Sequence, residues 1–265
     1  VRDCFAQNRS AMYPRQVICA CFLRTYCVNL ARTASNMQQI GLVFLLEPGL
    51  RWLYPAPKNF SSALLRYLGP SNTHPFMVPL FSGILLAMEK EIAAGSLPDT
   101  ALDSVRETLA TSLSALGDSF CSGAILPLWA LGCLLLISFG MIGWAAVLTL
   151  FSFCLLSAFR VGSFWAGLRY GMAALAHLKR MDLINWVGRI KMLNAVLAAI
   201  LVLRLPEMAS AAVPQAMHAA GLCAVLLATV LMYRRRLPRL LFWLVATGTA
   251  IIWGTAWAQK CPLFF

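Results

Sequence analysis

SFCSGAILPLWALGCLLLISFGMIGWAAVLTLFSFCLLSAF, residues 119–159, runs for 41 positions without one charged side chain. A helix that crosses a bilayer needs about 20 apolar residues, so this stretch has room for two crossings. Ser138, Gly140 and Gly143 supply a turn between them. The reading that follows is an all-α, polytopic integral membrane protein.

Composition points the same way. The 265-residue chain is 60% apolar and 12% charged, where soluble domains carry about 25% charged residues. A disordered tail, a collagen-like fibre and an ordinary soluble enzyme are excluded. Net charge is +12, unevenly placed. Residues 1–118 hold ten Lys/Arg against eight Asp/Glu, whereas 119–265 hold twelve against two. The later basic residues form short clusters between apolar runs. That is the pattern of loops on the cytoplasmic side of a membrane, not of a nucleic-acid-binding face.

Further uncharged stretches cover 208–233 and 240–259. A shorter one near 190–205 spans only if Arg189, Lys191 and Arg204 snorkel. Spans are therefore expected near 119–138, 141–159, 190–205, 208–233 and 240–259, a transmembrane helical region over 119–265. Arg234, Arg235, Arg236 and Arg239 form the densest basic cluster, expected in the cytoplasm together with the basic segment 160–191. The C-terminus then lies outside.

Residues 1–118 read as a separate membrane-associated region of amphipathic and re-entrant helices. The run between Arg15 and Arg24 is too short for the apolar core of a signal peptide. Apolar runs at 33–46 and 76–88 are 14 and 13 residues long, or about 20 Å of helix, short of a hydrocarbon core of about 30 Å. Glu47-Pro48-Gly49 and Tyr54-Pro55-Ala56-Pro57 are read as breaks. From 98 to 117 an amphipathic helix is expected, capped by Asp99 or Thr100, with Leu102, Val105, Leu109, Leu113 and Leu116 on one face. Gly117 is expected to stop it and Asp118 to cap the next helix.

Polar groups stand out against this background. Asn72 or Thr73 can cap a helix with Pro75 in its first turn. Such a start at membrane depth suits a polar substrate; at the interface it is simply a well-capped helix. Glu89, in Glu89-Lys90-Glu91, closes the 76–88 run at a helix end that disfavours carboxylates. An arginine partner, a hydroxyl-rich ligand or a solvated turn would each account for it. Asp118 is the last acid before the uncharged run, and an ionisable group at such a boundary is a functional candidate.

No Walker loop, Gly-x-Ser-x-Gly elbow, His-Glu-x-x-His or acidic metal cluster occurs. No catalytic site, metal or cofactor is expected in this chain. Nine cysteines include no Cys-x-x-Cys pair, so they read as small hydrophobes. Two other classes remain open: a membrane enzyme acting on a lipid or prenyl substrate, and a structural membrane protein.

A set of short stretches in a fixed order resembles one family. They are Phe22-Leu-Arg-Thr, Asn36-Met-Gln-Gln-Ile-Gly-Leu, Glu47-Pro-Gly-Leu with Leu53-Tyr-Pro, and Asn72-Thr-His-Pro-Phe. Ala87-Met-Glu-Lys-Glu, Leu116-Gly-Asp-Ser-Phe with Gly123 and Pro127, and Ala158-Phe-Arg-Val-Gly follow. Together they resemble the IID membrane component of the mannose/fructose/sorbose sugar phosphotransferase systems of bacteria. The resemblance runs over about 15–190 and is compositional beyond. It implies a non-phosphorylated, multi-pass subunit of the cytoplasmic membrane, paired with a IIC component to carry a hexose. IIA/IIB phosphocarrier proteins then phosphorylate the sugar on entry. It further implies that Gln38, Asn72, Glu89 and Asp118 line the sugar path or the IIC contact. Thr33, Thr111-Ser112, Ser122, Ala124 and Leu126 depart from the family pattern, Leu126 standing where an arginine is usual.

Overall fold

The computed structural model describes residues 13–208. Among them every regular element is helical, and β pairing is confined to isolated bridges between Thr33 and Met37 and between Met37 and Ser71. The stretch from 209 on, which holds the expected spans 208–233 and 240–259 and the arginine cluster, lies outside the described residues.

In chain order the helices are α1 (Arg15–Arg24), α2 (Gln39–Leu53), α3 (Pro57–Leu65), α4 (Val78–Ala93) and α5 (Thr100–Gly117). A π-helical segment, Asp118–Ile125, leads into α6 (Leu126–Ser138), followed by α7 (Ile142–Tyr170), α8 (Ala173–Arg180) and α9 (Leu183–Met208). By length and apolarity three stretches suffice to cross a membrane: Thr100–Ser138, Ile142–Tyr170 and Asn185–Val202.

The chain divides into two compact units. In the first, residues up to Cys133 and Ile142–Asn194, α4 is the central element. It is buried nearly all round, as expected of a helix without a polar face. Around it pack α2, α5 and, most extensively, α7. Gly83 and Gly167 make the α4–α7 crossing possible. A Cβ on Gly83 would lie 2.5 Å from the Phe164 carbonyl oxygen, and one on Gly167 would lie 2.6 Å from that of Leu80. Two backbones this close need glycine on both sides, the usual device where lipid gives helices no hydrophobic reason to associate. The rest of α7 exposes Ile142, Leu150, Phe153 and other large apolar side chains. Such a surface suits lipid.

In the second unit, whose described residues are 134–141 and 195–208, Gly140 takes φ +74° and the Met141 amide donates back to the Leu136 carbonyl at 2.9 Å. The Arg204 guanidinium lies 4.2 Å over the Phe139 ring.

The amphipathic reading of α5 holds: Leu102, Leu109 and Leu113 are buried, and the Asp99 carboxylate accepts the Thr100 amide at 3.0 Å. Four local expectations are corrected. First, α2 passes straight through Pro48 instead of breaking. A mid-helix proline strands the carbonyl four residues earlier, here that of Phe44. Arg24 supplies the missing donor at 2.7 Å and pairs with Glu47 at 2.7 Å. Burial works against the Glu47 charge, but Arg24 and Arg51 outweigh it and hold the carboxyl below its ordinary range.

Second, Gly117 does not stop α5. The chain continues helically into the π-segment, so Asp118 caps nothing. Pro127 gives the reason, because its ring crowds the Gly123 carbonyl and the wider π turn relieves it. Third, Asn72 and Thr73 do not cap α4, which starts at Val78 with Met77 before it and Pro79 in its first turn. Fourth, Arg160 is not in a basic loop. It lies within α7 and is buried.

Candidate functional site

The loop before α4 meets the π-segment at one point. Gln38 fixes the loop's path. Met37 is held at φ 54° by its paired bonds to Thr33, which turns Gln38 inward. The Gln38 side chain then clamps Thr73, accepting its amide at 2.8 Å and donating to its carbonyl at 2.8 Å. It also donates to Asn29 at 2.7 Å. Gln38 is buried and its amide is fully used by the chain itself. Asn72, one residue earlier, is exposed, and its side-chain oxygen accepts from Arg32 at 3.4 Å.

Past Thr73, the His74 side chain packs against Gly117, where a Cβ would collide with it. It stacks on Phe76 at 5.8 Å. The Phe76 amide donates to His74 Nδ1 at 3.3 Å, so the proton of the neutral ring belongs on Nε2. From there it reaches the Ser122 hydroxyl at 2.9 Å, with an Asp118 carboxylate oxygen at 4.0 Å. Burial lowers the His74 pKa below its ordinary value, and the Asp118 charge opposes that only in part. Asp118 itself is exposed. A Ser-His-Asp relay needs the acid on Nδ1, where it sets the tautomer. Here serine and aspartate share Nε2, so the arrangement is a polar cluster and not that relay.

Two further polar groups support the π-segment. Asn194 donates to the Ala124 carbonyl at 3.0 Å, while its own side-chain oxygen is buried without a partner. The Lys191 side chain passes close to Gly123. π-Segments of this kind are frequent at functional sites. Beside Ser122 opens a mostly apolar cavity of about 230 Å³, bordered by Phe76, Cys121, Trp129 and Phe153.

Arg160 secures the loop from the other side. It donates to the Pro75 carbonyl at 2.9 Å and to the Thr25 hydroxyl at 3.0 Å, with its guanidinium 4.0 Å over the Tyr26 ring.

Glu89 stands apart, about 16 Å along α4 from its first residue at 1.5 Å per residue. It is wholly buried. Arg66 donates to both its oxygens at 2.7 and 3.2 Å, Tyr54 to one at 2.8 Å and Tyr67 to the other at 2.8 Å. Burial, with the adjacent carboxylate, raises both phenol pKa values. An arginine was one of the partners the sequence allowed for Glu89; the two tyrosines carried no such signal.

Of the four sequence-predicted residues, then, Asp118 lies on an exposed position of the meeting point, and Asn72 is exposed on the same loop two residues before His74. Gln38 holds the loop from within, and Glu89 belongs to a separate closed network. Arg160, Ser122 and Asn194 were missed. Arg160 could have been found as a lone cation between two apolar runs, and Asn194 as a lone amide within another.

A family model described as "PTS system mannose/fructose/sorbose family IID component" matches residues 14–214. The mannose-specific EIID component of Escherichia coli (strain K12) is 28% identical over 170 residues, 63% of this chain and 56% of that protein. The fructose permease IID component of Bacillus subtilis (strain 168) is 27% identical over 173 residues, 64% of this chain and 59% of that one. The chain thus spans a little over half the length of these curated relatives. Two solved structures share the fold. One, described as a membrane protein, has TM-score 0.58 and 23% identity over 71% of this chain and 70% of that one. The other, a cryo-EM structure of the mannose transporter ManYZ with microcin E492, has TM-score 0.50 and 21% identity over 94% of this chain and 97% of that one. Motif order, helical architecture and the match over 14–214 agree: this membrane protein belongs to the IID component family of the mannose/fructose/sorbose phosphotransferase systems.

Proposed function

We propose that the chain is the IID subunit of a phosphoenolpyruvate-dependent sugar phosphotransferase system. With a IIC partner it forms a path for a hexose of the mannose/fructose/sorbose type across the bacterial cytoplasmic membrane. IIB, recharged by IIA, phosphorylates the sugar as it enters. The family match over 14–214 carries this reading. The chemistry around the loop–π junction supports it, since the Asp118 carboxylate and the Ser122 hydroxyl offer acceptors and a donor suited to sugar hydroxyls, and Asn72 adds an exposed amide on the same loop. Gln38, Arg160 and Glu89 act in this scheme as scaffold. The α7 end bearing Arg169, followed by Lys179 and Arg180, faces the cytoplasm, in keeping with the positive-inside rule.

The test is reconstitution. Uptake and phosphorylation over a panel of hexoses are measured in cells lacking their own systems. This chain is supplied alone, or with IIC, or with IIC and IIA/IIB. Phosphorylation of one or more hexoses only with the full set is expected. Equal activity by the chain alone would replace this reading with an enzyme.

A further inference from the structure

At the C-terminal end of α7, a recess of about 430 Å³ opens between α7 and the last turn of α4, lined by Tyr13, Lys90, Trp165, Leu168 and Arg169. We propose that this recess binds the phosphate group of an anionic membrane phospholipid.

Two cations converge on it, and neither forms an ion pair among the described residues. Glu89, beside Lys90 in sequence, is no counter-ion, because Arg66, Tyr54 and Tyr67 occupy it. Glu91, on the other side, is exposed, outside the lining and paired with neither cation among the described residues. The C-terminal poles of α4 and α7 offset part of the repulsion between Lys90 and Arg169. Yet a pole worth about half a charge leaves the recess positive. Tyr13 is not a free donor, since its hydroxyl bonds the Leu86 carbonyl at 2.8 Å. The two cations must therefore do the anion binding.

The remaining walls select the carrier of that phosphate. Trp165 is 43% exposed and stands one turn before Arg169, the usual place of an interfacial indole beside a snorkelling cation. Leu168 continues the apolar wall towards Val161, exposed on the same helix. A soluble phosphate ester gains nothing from such a wall, whereas acyl chains do. Basic pockets between membrane helices on the cytoplasmic side bind anionic head groups in this manner.

The test uses the full chain, purified and delipidated in a neutral detergent, with native mass spectrometry counting phosphatidylglycerol and phosphatidylcholine adducts. Phosphatidylglycerol should bind preferentially. Lys90→Gln/Arg169→Gln should weaken it roughly ten- to thirtyfold, the change expected for two juxtamembrane cations. Lys58→Gln/Lys179→Gln, with the same loss of charge, should leave it unchanged, and Lys90→Arg/Arg169→Lys should retain it. Hydrogen exchange on the unmodified chain gives a second reading. Phosphatidylglycerol should protect amides at 88–94 and 165–171, whether or not the variants fold. No protection there, or equal binding by the Gln variant, overturns the site. Displacement of the lipid by millimolar inorganic or glycerol phosphate overturns the lipid assignment in favour of a soluble ester.

Discussion

Arg160 bonds a carbonyl that no backbone N–H reaches: Pro75 O, at 2.9 Å, lies four positions before Pro79, which has no N–H to give it. Arg24 does the same for Phe44, stranded by Pro48. The fold thus admits proline into two buried helices by placing an arginine from elsewhere on each orphaned carbonyl. Arg160→Gln should lower the melting temperature in detergent, since hydrogen bonds from a charged donor contribute about 1.5–3 kcal/mol. It should also lower uptake more than protein level, because the loop carrying His74 loses its anchor. Arg160→Lys, which cannot reach Pro75 and Thr25 together, should fall between. Uptake and stability unchanged in the Gln variant would remove the anchor role.

The α4–α7 crossing leads to a second prediction. Gly83→Leu or Gly167→Leu forces a side chain into the opposing backbone. Overpacking of this kind costs about 1–3 kcal/mol where neighbours can move, and backbone moves little. Either change should strongly reduce folded protein in the membrane fraction. Gly162→Leu, on the same helix with open space around it, should not. Equal effects of Gly162→Leu and Gly167→Leu would show that the close approach does not matter.

The Glu89 network predicts a reversal on double substitution. Glu89→Gln leaves Arg66 with a charge in a site where its partner is wholly buried. Removing one member of a buried pair costs about 3–5 kcal/mol, whereas replacing both by apolar groups is often neutral. Glu89→Leu/Arg66→Met should therefore melt closer to the unmodified chain than Glu89→Leu or Arg66→Met alone. Tyr67→Phe, losing one bond to the carboxylate, should cost about 1.5–3 kcal/mol. Additive singles in the double variant would rule out the coupling.

These residues also explain what the sequence could and could not disclose. The uncharged run 119–159 and the leucine spacing of α5 are dense local signals, and both became the helices they indicated. Pro48 and Gly117 are equally local signals, yet their usual meaning was overridden. Arg24 makes Pro48 tolerable by bonding the Phe44 carbonyl from 20 positions away, and the π-segment lets the helix run on past Gly117. The site was half legible for the same reason. Asn72 and Asp118 stand out by composition. The partners that give the junction its shape lie 85 residues apart for Arg160 and Pro75, and 70 for Asn194 and Ala124. No periodicity or motif encodes such pairs.

His74 makes stability depend on pH. Burial depresses its folded pKa, so the unfolded chain takes up a proton first as pH falls. Stability is complete above the unfolded value of about 6.5 and is lost as pH falls towards the folded pKa. The melting temperature should drop between about pH 7.5 and pH 5.5. His74→Gln, whose amide can still meet Ser122, should flatten that dependence. Identical pH profiles for the two proteins would take His74 out of the account.

Asp118 separates binding from folding most cleanly. As a helix cap it would have linked the two, because Asp118→Ala would have lost the cap along with the charge. The continuous helix removes that link: the carboxylate is 68% exposed and caps nothing. Both Asp118→Asn and Asp118→Ala should therefore reach the membrane at normal levels. Uptake should separate them. Hydrogen bonds to a charged group contribute about 1.5–3 kcal/mol, or roughly ten- to a hundredfold in affinity. Asn keeps one acceptor and gains a donor, so it should raise the half-saturating sugar concentration less than Ala does. Ser122→Ala, which deletes the hydroxyl next to it on His74 Nε2, should act in the same direction. Uptake kinetics are compared at matched protein level with IIC and IIB present. Normal half-saturation in the Ala variant would place the sugar elsewhere and leave Asp118 as a solvated charge beside His74.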